Sequence, residues 1–334
     1  MRTRLGFVLS AALLATVVTA APAQATTTIT ELGGLPGGLY HGAMAINDAG
    51  VAVGRSRADT AYERGVKYDG TPTEVPGPAG LTTRLTSINS SGTMSGSTGE
   101  PFVHSSATRF HSDGTYQVLQ AVEGYPFASG QAIDDSGTVY GSIGNGNGSQ
   151  LPVRWDAAGV PTVLAMPAGM TSASLTGAAN GYAAGSVWAA GKDSQAVRWN
   201  PDGSVTVLTG LAQRAPTYGR AVNRHGEVVG EAYTDGSVSV LGVRWGADGT
   251  IITTYGANTH PRGLNDHGVA VGFETTTVYD NLPMRWDATG TALNLGRPAG
   301  ARRVEAVDIN NNGVIVGLTG ESLAPVTALQ WTVS

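Results

Sequence analysis

The sequence contains no cysteine. That excludes disulfides, thiolate metal sites and lipoprotein acylation, so a chain of 334 residues must hold together by burying a core. Charge is scarce as well: only 13% of residues are Asp, Glu, Lys or Arg, against about 25% in typical domains. The balance is acidic, with 25 Asp and Glu against 20 Lys and Arg. An acidic chain with no basic stripe excludes general nucleic-acid binding, which rests on neutralising phosphates. Beyond the N-terminal stretch no apolar run is long enough for a membrane span, which takes about 20 residues, and no segment carries helical periodicity.

Catalytic signatures are missing too. There is no GxSxG elbow, no phosphate-cradling glycine loop and no GxGxxG after a strand. The six histidines, at positions 41, 104, 111, 225, 260 and 267, form neither HExxH nor a close pair, so no zinc site is expected. No cofactor is implied, and the chain does not read as an enzyme.

The N-terminus has a clear pattern. A basic MRTR precedes LGFVLSAALLATVVTA and then APAQA. A short basic start, an apolar core and a small-x-small exit describe a secretory signal peptide, residues 1–25, cleaved after Ala23-Gln24-Ala25. The mature chain is then expected to begin at Thr26, to lose Arg2 and Arg4, and to be extracellular, with no membrane attachment. It would carry 18 basic against 25 acidic residues, a net charge of −7.

Glycine is abundant: 48 of 334 residues, about twice the usual share. Much of it belongs to a repeat. "AINDAGVAVG" (Ala45 to Gly54), "AVNRHGEVVG" (Ala221 to Gly230), "GLNDHGVAVG" (Gly263 to Gly272) and "DINNNGVIVG" (Asp308 to Gly317) are near copies. Aligned on the first glycine, the copies fall at Gly50, Gly92, Gly137, Gly181, Gly226, Gly268 and Gly313, with steps of 42, 45, 44, 45, 42 and 45. A period of about 44 residues is that of four-stranded propeller blades. The copy at Gly181, "TGAANGYAAG", is degraded and its register is open.

An aromatic repeats in step: Tyr68, Phe110, Trp155, Trp199, Trp245, Trp286 and Trp331. Each unit reads as strand A ("HPRGLN"), a tight Asn-Asp-x-Gly turn, strand B ("VAVGF"), a longer loop, strand C ("LPMRW"), a second Gly turn and a short strand D ("SVTVL"). Alternation places the aromatic between blades. A basic residue precedes it in six copies (Lys67, Arg109, Arg154, Arg198, Arg244 and Arg285) and reads as scaffold, a partner for acids across strands or blades. The last unit stops after strand C, and Thr27 to Leu32 looks like the missing strand D. The expected architecture is therefore an all-β, seven-bladed β-propeller over residues 26–334, its ring closed by the N-terminal strand.

The units resemble the secreted HAF repeat family. "ELGGLPGG" (Glu31 to Gly38), "AINDAGVAVG" and "QAVRWNPDG" (Gln195 to Gly203) carry the likeness over nearly all of the expected mature chain. The family's histidine in the third motif is absent: Gln195 and Leu282 stand near its place, and arginine replaces leucine before the tryptophan. The resemblance implies a secreted bacterial repeat protein with no defined activity. Period and strand count also resemble WD40 propellers, in architecture alone.

Function is expected on the face of the D–A and B–C connections, which vary between copies while the Gly turns do not. Candidate binding residues there are Tyr40, His41, Tyr125, Trp188, Tyr218, Arg220, His260, Arg262 and Arg303. Aromatics with Arg and His suit a polysaccharide or an extracellular protein. Trp188 stands out because it lies outside the repeated aromatic series. Arg220 and Arg262 occupy equivalent positions, where they either pair with acids between blades or line an anion pocket. The Asn-Asp turns offer too few oxygens for calcium. A binding or scaffold module, monomeric, is the expected function class; a propeller-type glycoside hydrolase or polysaccharide lyase is the alternative.

Overall fold

The computed structural model describes residues 26–58, 62–100, 103–212, 215–234, 239–320 and 325–334. The expected signal segment, with Ala23-Gln24-Ala25, lies outside them. The described residues form 28 strands and no helix, as low charge and high glycine imply.

The strands run in successive four-strand antiparallel meanders. Tyr40–Ile46, Ala52–Arg57, Glu63–Tyr68 and Thr73–Val75 make one complete sheet in chain order. Other meanders are joined in pairs by a single parallel bridge, Ser105 to Phe127 in one case and Asn281 to Arg303 in the other. The final meander has only three consecutive strands, ending at Ala328–Val333. Its fourth place is taken by Thr27–Gly33, which pairs antiparallel with that last strand from Thr27↔Val333 to Gly33↔Ala328.

The core lies between meanders. Trp155 and Val153 pack with Ala107 and Leu119 of the preceding copy, and Trp245 and Val243 with Ala196 and Leu208. The repeated tryptophans are fully buried or nearly so. Four of them also reach back to a backbone carbonyl after the preceding copy's D strand: Trp155 to Gln120, Trp199 to Ala165, Trp245 to Thr209 and Trp331 to Gly296. Each indole so contributes area and a satisfied N–H. Trp286 departs from this. The D strand before it runs longer, Ile251–Ala257, and Tyr255 stacks on the indole at 5.0 Å instead.

In the basic column Lys67 pairs with an acid, Asp69, at 3.8 Å, whereas Arg109, Arg198 and Arg244 take backbone carbonyls of the next copy. Arg109 donates to Asp156 O and Ala157 O of the next copy's turn. Arg198 donates to Gly226 O and Ala247 O, and Arg244 to Gly268 O and Ala288 O. Arg109 takes both carbonyls from one C–D turn, while Arg198 and Arg244 each bridge the A–B and C–D turns of the next copy, a separation that the planar guanidinium fork spans.

Every A strand carries one extra residue. The register slips at Met44, Thr86, Gln131, Thr176, Arg220, Arg262 and Val307. A β-bulge re-aims the side chain at the slip and bends the strand. It also accounts for the second glycine of the repeat: a Cβ on Gly54 would sit 1.9 Å from Gly42 O, and one on Gly230 at 1.9 Å from Tyr218 O.

The degraded fourth copy is shorter by one residue. Ala178 pairs with Ala183 across a two-residue hairpin, whereas Ile46 pairs with Ala52 in the first copy. Asn180 and Gly181 take the turn with φ of 49° and 83°, the left-handed pair that such a hairpin demands.

Candidate functional site

The repeated asparagine has two jobs. Asn47 Oδ1 accepts from Val51 N across its own turn, and Nδ2 donates to Asn89 O of the next copy. Asn89 caps Thr93 N and donates to Asp134 O. Asn223 donates to Asn265 O, Asn265 to Asn310 O, and Asn310 to Asn47 O. The result is a belt of amides linking copy to copy. It stops after Asp134, which caps its turn but has no N–H to donate, and resumes at Asn223. In the shortened fourth copy Ala179 opens the turn, so that copy adds nothing to the belt.

Above the belt the A strands enclose a cavity of about 750 Å³. Its wall is small-residue backbone, with Ala45, Ser87, Ala132 and Ala221 at one repeat position and the bulge side chains set into it. Asp308 interrupts the small series. Its Oδ2 accepts from Ile46 N at 2.9 Å and its Oδ1 from Ile309 N at 2.9 Å. Burial pushes its carboxyl up to about 7 against those hydrogen bonds. Ser87 holds Ile133 N in the same way between two other copies.

Two of the bulges are arginines, and they meet one acid. Glu231, 4% exposed, accepts from Arg220 Nη2 at 2.7 Å and from Arg262 Nη1 at 3.1 Å, with His260 Nδ1 at 3.0 Å. Burial alone would raise this carboxyl, but the hydrogen bond to His260 and the charges of Arg220 and Arg262 outweigh it and hold it at about 2. Aromatic rings border the group. His260 stacks on Phe273 at 4.7 Å, and the Arg262 guanidinium lies 5.1 Å from the same ring. Tyr218 packs edge-on against Tyr233 at 6.1 Å, with Arg220 5.8 Å from its ring.

Of the candidate residues, Tyr218, Arg220, His260 and Arg262 come together here; the other five have separate surroundings. Tyr40 lies under Arg57 at 4.2 Å. His41 shares a hydrogen bond with Ser56 Oγ, and burial holds its imidazole below the usual value. Tyr125 packs, partly buried, against the core beside Trp155. Trp188 ends its strand half-buried opposite Ser172, with no aromatic contact among the described residues. Arg303 donates to Val278 O, 5.8 Å from the Tyr279 ring. Sequence reasoning missed Glu231 itself. Its position, after the second repeat glycine, holds Arg55, Ser97, Ser142, Ser186, Phe273 and Leu318 in the other copies. A lone acid in that column was the available signal.

No family model matches the chain, and no curated protein matches it either. Solved structures do. An oligogalacturonate lyase in complex with manganese is 11% identical with a TM-score of 0.64, covering 93% of this chain and 94% of that one. Virginiamycin B lyase from Staphylococcus aureus is 13% identical with a TM-score of 0.59, covering 92% and 99%. The β-propeller domain of the Trilobed protease from Pyrococcus furiosus is 8% identical with a TM-score of 0.55, covering 85% and 91%. The likeness is one of fold, that of a β-propeller.

Proposed function

We propose that the protein is a secreted, seven-bladed β-propeller, closed by its N-terminal strand, that acts as a monomeric binding or scaffold module. Its target is a cell-envelope component, an extracellular polysaccharide or an extracellular protein. The observation that carries the binding reading is the cavity of about 750 Å³, a volume ordinary for ligand sites, reached by arginines beside a cluster of tyrosines and histidine. Closure is supported by Asn310 and Asp308 of the last copy, which make the same contacts to the first copy that neighbouring copies make to each other. Secretion rests on the N-terminal pattern, and kinship with HAF repeat proteins on the repeated motif.

The second reading is a propeller-type glycoside hydrolase or polysaccharide lyase. Asp48 Oδ2 and Asp266 Oδ2 both accept from Asn311 Nδ2, at 2.9 and 2.7 Å, so two carboxylates stand close beside the cavity. A general acid needs a raised pKa. Burial works in that direction on Asp266, but the hydrogen bonds from Arg224 and Asn311 hold it below the usual carboxylate range. The raised carboxyl of this wall is Asp308, and both its oxygens are held by Ile46 N and Ile309 N rather than offered to a ligand, which favours binding over hydrolysis.

The test is retention of the purified protein on insoluble cellulose, chitin, xylan and bacterial cell wall, with the supernatant assayed for sugars. Retention on one polymer without release is expected. Released sugar would replace the binding reading with the enzyme. Failure to bind any polymer would remove polysaccharide as the target and leave a protein partner.

A further inference from the structure

The arginines that line the central cavity at the bulges differ from those of the basic column. Arg109, Arg198 and Arg244 fill their forks with carbonyl and amide oxygens of the scaffold, at least two bonds each. Arg220 and Arg262 do not. Among the described residues each donates one hydrogen bond, and both go to the same carboxylate, Glu231. A guanidinium has five N–H donors, so most of the donors of this pair have no acceptor among the described residues. The charge is unbalanced too: two guanidinium ions face one carboxylate that stays ionised. The next acid toward Arg262 is Glu305, which is engaged by Asn281 Nδ2 at 3.1 Å.

The bulges decide where these donors point. Both arginines sit at the extra residue of their A strands, and both line the central cavity. Elsewhere that position holds Met44, Thr86, Gln131, Thr176 and Val307, so the cations enter the cavity at two adjacent copies and nowhere else at this level. Glu231 and the aromatic Phe273 brace them from behind. A preorganised pair of planar forks with spare donors is the chemistry that recognises a carboxylate. Farther round the wall Gln131 offers polar groups to a hydroxylated ring, and Thr86 and Thr176, whose hydroxyls donate to Gly130 O and Gly219 O, keep lone pairs that can accept from one.

We propose that Arg220 and Arg262 form the binding site for the carboxylate of an acidic sugar, a uronate unit of an oligosaccharide seated in the central cavity. This rests on the binding-module reading and names its ligand class. His260, held by Glu231 and stacked on Phe273, positions the arginines rather than contacting the ligand.

The experiment is titration calorimetry of the purified protein with galacturonate and glucuronate oligomers, with galactose and glucose oligomers as neutral counterparts. Uronate oligomers are expected to bind, with affinity falling as salt is raised, and the neutral ones not to bind. The double variant Arg220→Met/Arg262→Met should weaken uronate binding at least tenfold. Glu231→Gln frees donors from their internal competitor and should tighten it, a result that a merely structural cluster does not give and that needs no arginine variant to fold. Equal binding of acidic and neutral oligomers, unchanged binding in the double variant, no tightening in Glu231→Gln, or displacement of uronate by equimolar inorganic phosphate would each overturn the assignment. Retention on a neutral polymer with no uronate binding would overturn this site alone and leave the binding-module reading standing.

Discussion

Asn310 Nδ2 donates to Asn47 O at 2.9 Å, across 263 residues of chain. The same bond joins Asn47 to Asn89 over 42 residues and Asn265 to Asn310 over 45. The first and last copies therefore meet through the contact used between consecutive copies. Five of the seven copies keep asparagine there because one side chain must both accept within its turn and reach beyond it to donate; an ionised Asp, as at position 134, cannot donate and an Ala, as at 179, can do neither.

Changing Asn310 to Ala takes one of two donors from the buried carbonyl of Asn47, which keeps Gly50 N, and uncaps Asn312 N and Val314 N. The expected cost is about 1–2 kcal/mol, mostly the penalty for turn amides left unpaired. Asn310→Asp keeps the cap and loses only the donation, so it should cost less than Ala above the carboxylate's pKa only if no carbonyl faces the new charge. Since Asn47 O does face it, Asp should be the worse variant at neutral pH and the milder one in acid. Urea unfolding at both pH values gives the comparison.

Deleting Thr26 to Gly34 removes the strand paired along Ala328–Val333, with Ile29, which packs on the cluster around Trp331. A fall in melting temperature on the order of 10 °C is expected, since each kcal/mol is worth about 2–4 °C in chains above 150 residues. An unchanged melting curve would sink the closure.

Arg244 is 8% exposed and clamps Gly268 O and Ala288 O. Arg244→Lys should cost about as much as Arg244→Met, on the order of 2–3 kcal/mol, because one ammonium cannot satisfy two carbonyls set for a planar fork. Rescue by lysine in thermal unfolding would show that charge, rather than shape, matters at this position.

Asp308, pushed up to about 7 from 3.8, is a group that the folded chain prefers protonated. The folded state then binds more protons than the unfolded one between these values, so stability falls as pH rises from about 4 to 7 and is level above. Each unit of displacement is worth about 1.4 kcal/mol. Asp308→Asn keeps an acceptor for only one of Ile46 N and Ile309 N, so it should cost stability at pH 4 and lose less or none at pH 7.5, with the slope gone. An Asn variant equally sloped between pH 4 and 7 would place the titration elsewhere.

Glu231 runs the other way. Held at about 2 instead of 4.5, it contributes stability that is complete above pH 4.5 and lost as pH falls toward 2. Glu231→Gln should lower stability at pH 6 and shrink the difference from the parent as the medium is acidified to pH 2.5, read by unfolding at each pH.

The turns and the aromatic column were legible because each is set by one residue doing one local thing: Gly50 takes φ of 82° and Trp155 fills a gap between meanders. The sequence also marked the missing D strand, through the shared pattern of "TTTITELGG" and "SVTVLTG". The bulges were not legible. No residue type is needed at the slip, which accepts Met44, Thr86 and Arg220 alike, because only backbone register defines it. Arg220 and Arg262 were recognised as equivalent, but Arg220 reaches Glu231 across its own A–B pair through the bulge, and Arg262 reaches it only because strand A of the next copy faces that strand B, a contact that no local pattern encodes. The register of the fourth copy stayed open for the same reason: a lost residue in a hairpin shows itself only in the pairing across it.

That shortened copy leaves the protein with two seams of different kinds. One is topological, where Thr27–Gly33 pairs with the distant strand Ala328–Val333 and Thr26 N donates to Ser334 O at 3.0 Å. The other is energetic, between Asp134 and Asn223, where no amide crosses. Opening on warming should begin at the second, so amide protons of Ser172–Ala179 and Tyr182–Trp188 exchange before those of the terminal strands. A circular permutant begun at Gly181, with the present ends joined, would bring both seams to one place and leave every remaining junction belted.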